Sequence, residues 1–92
     1  MKLSDLKRLP VGTKLLLVHC LVGPVPEDKQ YREVRVVQST AIGFKRLDRD
    51  GFSWLQFPKA SQFQDDGDGF TIFEENRSGE KIIAARYKFM KS

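Results

Sequence analysis

The 92-residue sequence predicts a mainly β fold, a small antiparallel barrel or bent sheet of five or six strands with a short N-terminal helix. Three observations predict it. Apolar residues recur with two-residue alternation, as in Val34/Val36, Ile42/Phe44 and Ile83/Ala85/Tyr87/Phe89. Turn-formers punctuate these runs at Gly23-Pro24, at Asp50-Gly51 and across Asp65 to Gly69. Apolar residues make up 40% of the chain, with seven Phe, two Tyr and one Trp, enough for one core and too little chain for two, so residues 1 to 92 read as one domain.

Ser4 to Leu9 reads as the helix, with Ser4 or Asp5 as cap and Leu3, Leu6 and Leu9 on one side; Pro10 and Gly12 stop it. Thr13 to Val22 is the longest apolar segment and reads as a strand. Its alternation puts Leu15, Leu17 and Leu21 on one face and Leu16, Val18, Cys20 and Val22 on the other, so both faces are expected to be covered. Gly23 to Tyr31 reads as a polar surface loop and the most mobile part of the chain. In Arg32 to Gln38, Val34 and Val36 share a face opposite Glu33 and Arg35, and Val37 breaks the pattern.

Ala41 to Arg46 directs Ile42 and Phe44 to one side, and the Asp50-Gly51 hairpin connects it to a returning strand, Phe52 to Phe57. In that strand Phe52 and Trp54 compete with Leu55 and Phe57 for the core. Pro58 to Phe63 fits a single helical turn, Asp65 to Gly69 an acidic turn, Phe70 to Glu74 a strand, Asn76 to Gly79 a turn, and Lys81 to Met90 a last strand with Arg86 and Lys88 opposite its apolar face. Leu9 to Thr13, the long loop after the first strand and the Asp50-Gly51 hairpin resemble SH3-like small barrels over residues 9 to 90. The resemblance is architectural. In Tudor, KOW and SH3 relatives the ligand surface includes loop aromatics, and Tyr31 and Trp54 are the residues that invite the comparison.

The single cysteine excludes an internal disulfide and multi-cysteine zinc patterns, which suits a reducing, cytoplasmic setting. Leu15 to Val22 is too short to span a bilayer, which needs ~20 residues. As a secretory leader it has Asp5 in the basic region and lacks a small-residue cleavage site, so no membrane association is expected. Cys20 reads as buried and unreactive. On a strand His19 and Cys20 point to opposite faces, which denies them the hydrogen bond that a nucleophile and its base require.

Gln64, Asp66, Asp68 and Gly69, with Glu75 further on, approach the spacing of an EF-hand calcium loop, but Gln64 stands at the first ligand position and Phe70 to Phe73 reads as a strand where a helix should follow. No metal, cofactor or small-molecule substrate is expected, and no catalytic set converges. Charge is segregated: residues 1–57 carry +4, residues 58–80 carry −4 and residues 81–92 carry +4. Two binding functions follow for a non-enzymatic accessory module. Two faces of opposite sign favour a protein partner or self-association. Alternation alternatively places Arg35, Lys45, Arg86 and Lys88 on one outward face, with Trp54 able to join them, and cations beside an aromatic are what single-stranded nucleic acid requires.

Overall fold

The computed structural model describes residues 1–90. Its elements are helix α1 (Leu3–Leu6) and strands β1 (Lys14–Cys20), β2 (Gly23–Pro24), β3 (Tyr31–Val37), β4 (Ala41–Lys45), β5 (Phe52–Gln56), β6 (Phe63–Asp65), β7 (Gly69–Glu75) and β8 (Lys81–Phe89). Single 3-10 turns occupy Glu27–Lys29 and Ala60–Gln62. The strands form one antiparallel eight-stranded sheet in the order β5-β4-β3-β1-β8-β7-β6, with β2 beside β1, and the sheet is not closed. The count therefore exceeds the five or six strands expected. The extra strands are the short β2 and β6, whose proline, glycine and acidic residues read as loop.

Strand pairing leaves every second side chain on one face, and the sheet curls so that this face encloses the core. Leu15, Val34, Ile42, Phe44, Phe70, Ile72, Ala85 and Tyr87 line it, and Leu6 of α1, with no exposed surface, fills the concavity. Leu3 and Leu9 pack against the same core. The helix is shorter than Ser4 to Leu9 and is capped differently: Lys2 is the N-cap residue, and the Asp5 carboxylate accepts the Lys2 backbone N–H at 2.8 Å. A four-residue helix cannot sustain itself through propensity, so the burial of Leu6 holds it.

The curl is visible in an aromatic column. Phe63 stacks on Phe70 at 5.6 Å, Phe70 on Tyr87 at 5.0 Å, and Tyr87 meets Phe44 at 5.6 Å between ring centroids. At the other side of the β7–β8 pairing, a Cβ on Gly69 would stand 1.9 Å from the Tyr87 carbonyl oxygen, so only glycine lets these backbones approach.

Three irregularities re-phase the strands. The β1–β8 register shifts between Leu17 and His19, so Cys20 comes opposite Ala85 and joins the core-facing side with Leu15 and Leu17. This corrects the expected grouping of Cys20 with Leu16, Val18 and Val22. Cys20 is half-buried rather than sealed, with its Sγ 3.7 Å from the Gly23 carbonyl oxygen, and Leu21 and Val22 stand exposed at the turn into β2. The β3–β4 register shifts between Val34 and Val36, which places Val37 opposite Ile42 and sends Val36 to the outer face opposite Gly43. The third shift, between Ile72 and Phe73, does the same to the start of β8.

Two further expectations change. Leu16 and Val18 are half-buried, as is Leu17 on the core side, so β1 is only partly covered on each face beyond Leu15. The Gly23 to Tyr31 segment is tethered, not free: Gln30 donates to the Val25 carbonyl at 2.9 Å, and the Leu17 N–H donates to the Gln30 carbonyl at 2.8 Å. Arg32, facing inward opposite Leu15, donates to the Lys29 and Tyr31 carbonyls and anchors the end of the same segment. Burial pulls the Arg32 guanidinium below its ordinary value, and the nearby Arg46 adds to the effect. No helix among the described residues is long and apolar enough to cross a membrane.

Burial pushes the Tyr87 phenol up to about 12 from 10.0, against the opposing pull of the Arg32 charge. The unfolded chain loses this proton first, so the stability that buried neutral Tyr87 contributes is complete below pH ~10 and is lost as pH rises toward ~12. In an alkaline titration followed by circular dichroism and tyrosinate absorbance, one tyrosine is expected to ionise only as the fold is lost.

Candidate binding face

The β4–β5 hairpin builds the most distinctive surface of the molecule. Gly51 takes φ +83° in its turn, a conformation that side-chain-bearing residues resist, and Arg46 and Asp48 form an ion pair across the approach to it. The resulting register pairs Ile42 with Leu55 and Phe44 with Ser53 on the core side, and Gly43 with Trp54 and Lys45 with Phe52 on the outer side. This settles the competition within Phe52 to Phe57: Leu55 and Phe57 pack against the core, while Phe52 (50% exposed) and Trp54 (47% exposed) face out.

Trp54 does not stand free. A Cβ on Gly43 would lie 3.1 Å from two of its six-membered-ring carbons, so the indole sits over the bare backbone of β4. Phe52 meets it edge-on, with centroids 5.9 Å apart and planes at 89°. Glycine at 43 thus acts as the seat for the ring.

Cations surround this pair. Lys45 extends from the end of β4, opposite Glu33, which is in turn opposite Lys14 of β1. Arg35, at the β3 irregularity, reaches Glu33 at 2.9 Å and remains half exposed. A shallow cleft at the hairpin is lined by Arg35, Lys45, Arg49, Asp50, Gly51 and Phe52. Two acids, Glu33 and Asp50, lie among these cations. The Arg35 hydrogen bond, helped by that of the Tyr31 hydroxyl at 2.9 Å, holds the Glu33 carboxyl below the ordinary carboxylate range. Burial, followed by the same hydrogen bond, raises Tyr31.

Arg86 and Lys88 also face outward, but on β8, with β3 and β1 between them and β4. They are already engaged by the acidic turn. Arg86 donates to the Thr71 hydroxyl at 3.0 Å and lies 3.9 Å from Asp66, while Lys88 lies 3.8 Å from Asp68. Thr71 is buried and donates to Asp66, which also accepts from Gln64 at 2.7 Å. The five sequence-derived residues therefore divide: Arg35, Lys45 and Trp54 come together, whereas Arg86 and Lys88 form a separate, charge-compensated group.

Lys14 and Phe52 belong with the first group and were not assigned to it from sequence. Lys14 was legible in principle, since alternation from the core residue Leu15 places it outward. The residues of the calcium-like spacing do not converge, because Glu75 pairs with Lys81 at the opposite end of β7 from the turn holding Asp66 and Asp68. Asp65 instead accepts the amino terminus at 3.0 Å and the Gly67 N–H, and the latter chiefly lowers its pKa. Among the described residues no three His, Cys, Asp or Glu side chains converge in a metal-binding arrangement. A second cleft is lined by Lys59, Ser61, Gln62, Phe73, Glu74, Glu75 and Lys81, with the Lys81 ammonium 4.4 Å from the Phe73 ring centroid.

No protein-family model, curated protein or solved structure matches this chain.

Because the chain has a single tryptophan, its fluorescence reports Trp54 alone. Native emission is expected to be red-shifted and readily quenched by acrylamide. Trp54→Ala is expected to cost about 1–2 kcal/mol in a urea titration rather than the ~3–5 kcal/mol of a fully buried tryptophan. A blue, unquenchable emission would contradict the outward placement.

Proposed function

We propose that the chain is a non-catalytic binding module whose outer β3–β4–β5 face takes single-stranded nucleic acid. The observation that carries this reading is the indole of Trp54, seated on Gly43 and half exposed, in edge contact with Phe52, which lines a cleft with Lys45 and Arg35. A flat aromatic backed by a rigid strand offers a base a stacking surface without first having to be ordered, and neighbouring cations meet the phosphates. Lys14 and Lys45 have no ion-pair partner among the described residues, so they are available to an external anion.

The chemistry favours a single strand over a duplex. The cations lie across strands and around an aromatic pair rather than along a helix sized for a groove, and paired bases would hide the ring faces that Trp54 and Phe52 can contact. His19 and Cys20 do not assist any reaction here, since they occupy opposite faces of β1.

With Lys14, Arg35 and Lys45 each meeting one phosphate, the slope of log affinity against log salt is expected near −2.1, at about −0.7 per contact. Fluorescence-anisotropy titrations of a labelled oligonucleotide at several salt concentrations measure it. Lys45→Gln should reduce the slope by ~0.7, Trp54→Ala should weaken binding by ~1–3 kcal/mol at unchanged slope, and Lys88→Gln should do little because Asp68 already faces that charge. Absence of salt-dependent binding at low ionic strength would reject the nucleic-acid reading in favour of a protein partner for the same face.

A further inference from the structure

Arg32 is the one buried charged side chain among the described residues, at 3% exposure. Its Nη1 donates to the Lys29 and Tyr31 carbonyls, whereas its Nε has neither a partner nor appreciable contact with solvent. Among the described residues no carboxylate lies within ion-pair distance of it. A guanidinium withdrawn from water in this way is unfavourable until an anion compensates it. The surroundings increase the imbalance. One residue beyond the Glu33–Lys45 pair, the register brings Arg32 beside Arg46, a like charge whose side chain is itself only 12% exposed. Asp48 does not resolve this, because its two oxygens accept from Nε and Nη2 of Arg46, which leaves the Arg46 Nη1 for another acceptor.

Arg46 also lines an open cleft at the β4–β5 turn, together with Lys45, Leu47, Asp48, Arg49 and Asp50. The charges of Arg46, Asp48 and Arg49 all act on the Arg32 guanidinium, so it lies within electrostatic reach of this cleft. With Arg32 included, four cations stand against two acids, a surplus of two positive charges. We propose that this cleft binds a phosphomonoester group, with Arg46 and Arg49 donating to its oxygens and the uncompensated buried charge of Arg32 attracting it. A phosphomonoester carries about −1.5 to −2 charge at pH 7 and three strong acceptor oxygens, which matches that surplus. A carboxylate would leave half of it uncompensated. Guanidinium forks suit such oxygens, and the charge of a buried arginine acts over a longer range than that of a solvated one. Inorganic phosphate and the terminal phosphate of an oligonucleotide share this chemistry. The terminal phosphate would extend the nucleic-acid face and rests on that reading, since Lys45, Arg49 and Asp50 also line the cleft holding Phe52, whereas inorganic phosphate does not depend on it.

The test is a titration of the full chain with inorganic phosphate at constant ionic strength, followed through the arginine Nε–H resonances in proton–nitrogen correlation spectra. The expected result is a saturable shift of the Arg32, Arg46 and Arg49 signals between about 0.1 and about 10 mM phosphate, with none when chloride is varied instead. Arg49 is exposed, so Arg49→Gln should keep the fold and weaken phosphate binding roughly tenfold, while Lys88→Gln should leave it unchanged. Arg32→Met should weaken it as well, and should that variant fail to fold, Arg49→Gln decides. No saturable shift up to about 10 mM, or one that Arg49→Gln leaves unaltered, overturns the inference. A second arm compares, by anisotropy, oligonucleotides that end in a phosphate with those that end in hydroxyls. A preference for the phosphorylated end that Arg49→Gln removes supports the inference with the strand end as source, and equal binding alongside a phosphate response supports it with free phosphate as source. Oligonucleotide binding without a phosphate response overturns this inference and leaves the nucleic-acid reading standing. A phosphate response without oligonucleotide binding does the reverse.

Discussion

The contact between Phe44 and Tyr87 is the constraint on which the rest of the molecule depends. Their strands, β4 and β8, are separated in the sheet by β3 and β1, a distance of roughly 14 Å at the usual strand spacing, yet the ring centroids are 5.6 Å apart. A sheet can satisfy both distances only by curling toward itself. The curl gives α1 a concavity for Leu6, excludes water from Tyr87, and continues through Phe70 to Phe63 at the β6 edge. It also determines what is left outside. With the concave side fully used by aromatic and aliphatic residues, Phe52 and Trp54 have no inward position, and their strand must present them to solvent.

The placement of charge follows from the same geometry. Arg32 faces inward near the end of the curl and is accommodated by the Lys29 and Tyr31 carbonyls, whereas the outward cations meet different fates according to which strand carries them. On β8, Arg86 and Lys88 lie beside the acidic turn and are compensated by Asp66 and Asp68. Toward β5, Glu33 serves Arg35 and lies in register with Lys45 and Lys14, and Asp50 joins Arg35, Lys45 and Arg49 at the hairpin cleft, so cations outnumber acids beside the Phe52–Trp54 pair. A basic face that looks continuous in sequence is thus divided into a compensated half and an open half.

Much of the strand content was legible because the relevant alternation was unbroken. Ile42 and Phe44 point inward, as do Ala85 and Tyr87, and the Asp50-Gly51 turn joins the strands expected of it. Alternation failed where the ladder gains a residue. At Val18 and Arg35 a one-residue shift moves everything downstream to the other face, which explains both the misassigned Cys20 and the outward Val36. Phe52 to Phe57 was ambiguous for a different reason, since apolar residues occupy both phases and only pairing with β4 decides between them. The compensation of Arg86 by Asp66 was equally hidden, because it depends on how tightly a turn folds onto a strand that comes much later in the chain. Gly43 carried no signal by itself; its meaning as the seat of an indole requires the register.

The account stands most directly on the closeness of Phe44 and Tyr87, which a double-mutant cycle measures. Urea unfolding of Phe44→Leu, Tyr87→Leu and the double variant should give a coupling energy of about 0.5–1.5 kcal/mol, as expected for aromatic rings in contact. Strict additivity, within ~0.3 kcal/mol, would mean that the rings do not touch, that the sheet does not curl as described, and that the separation of its two faces has another cause.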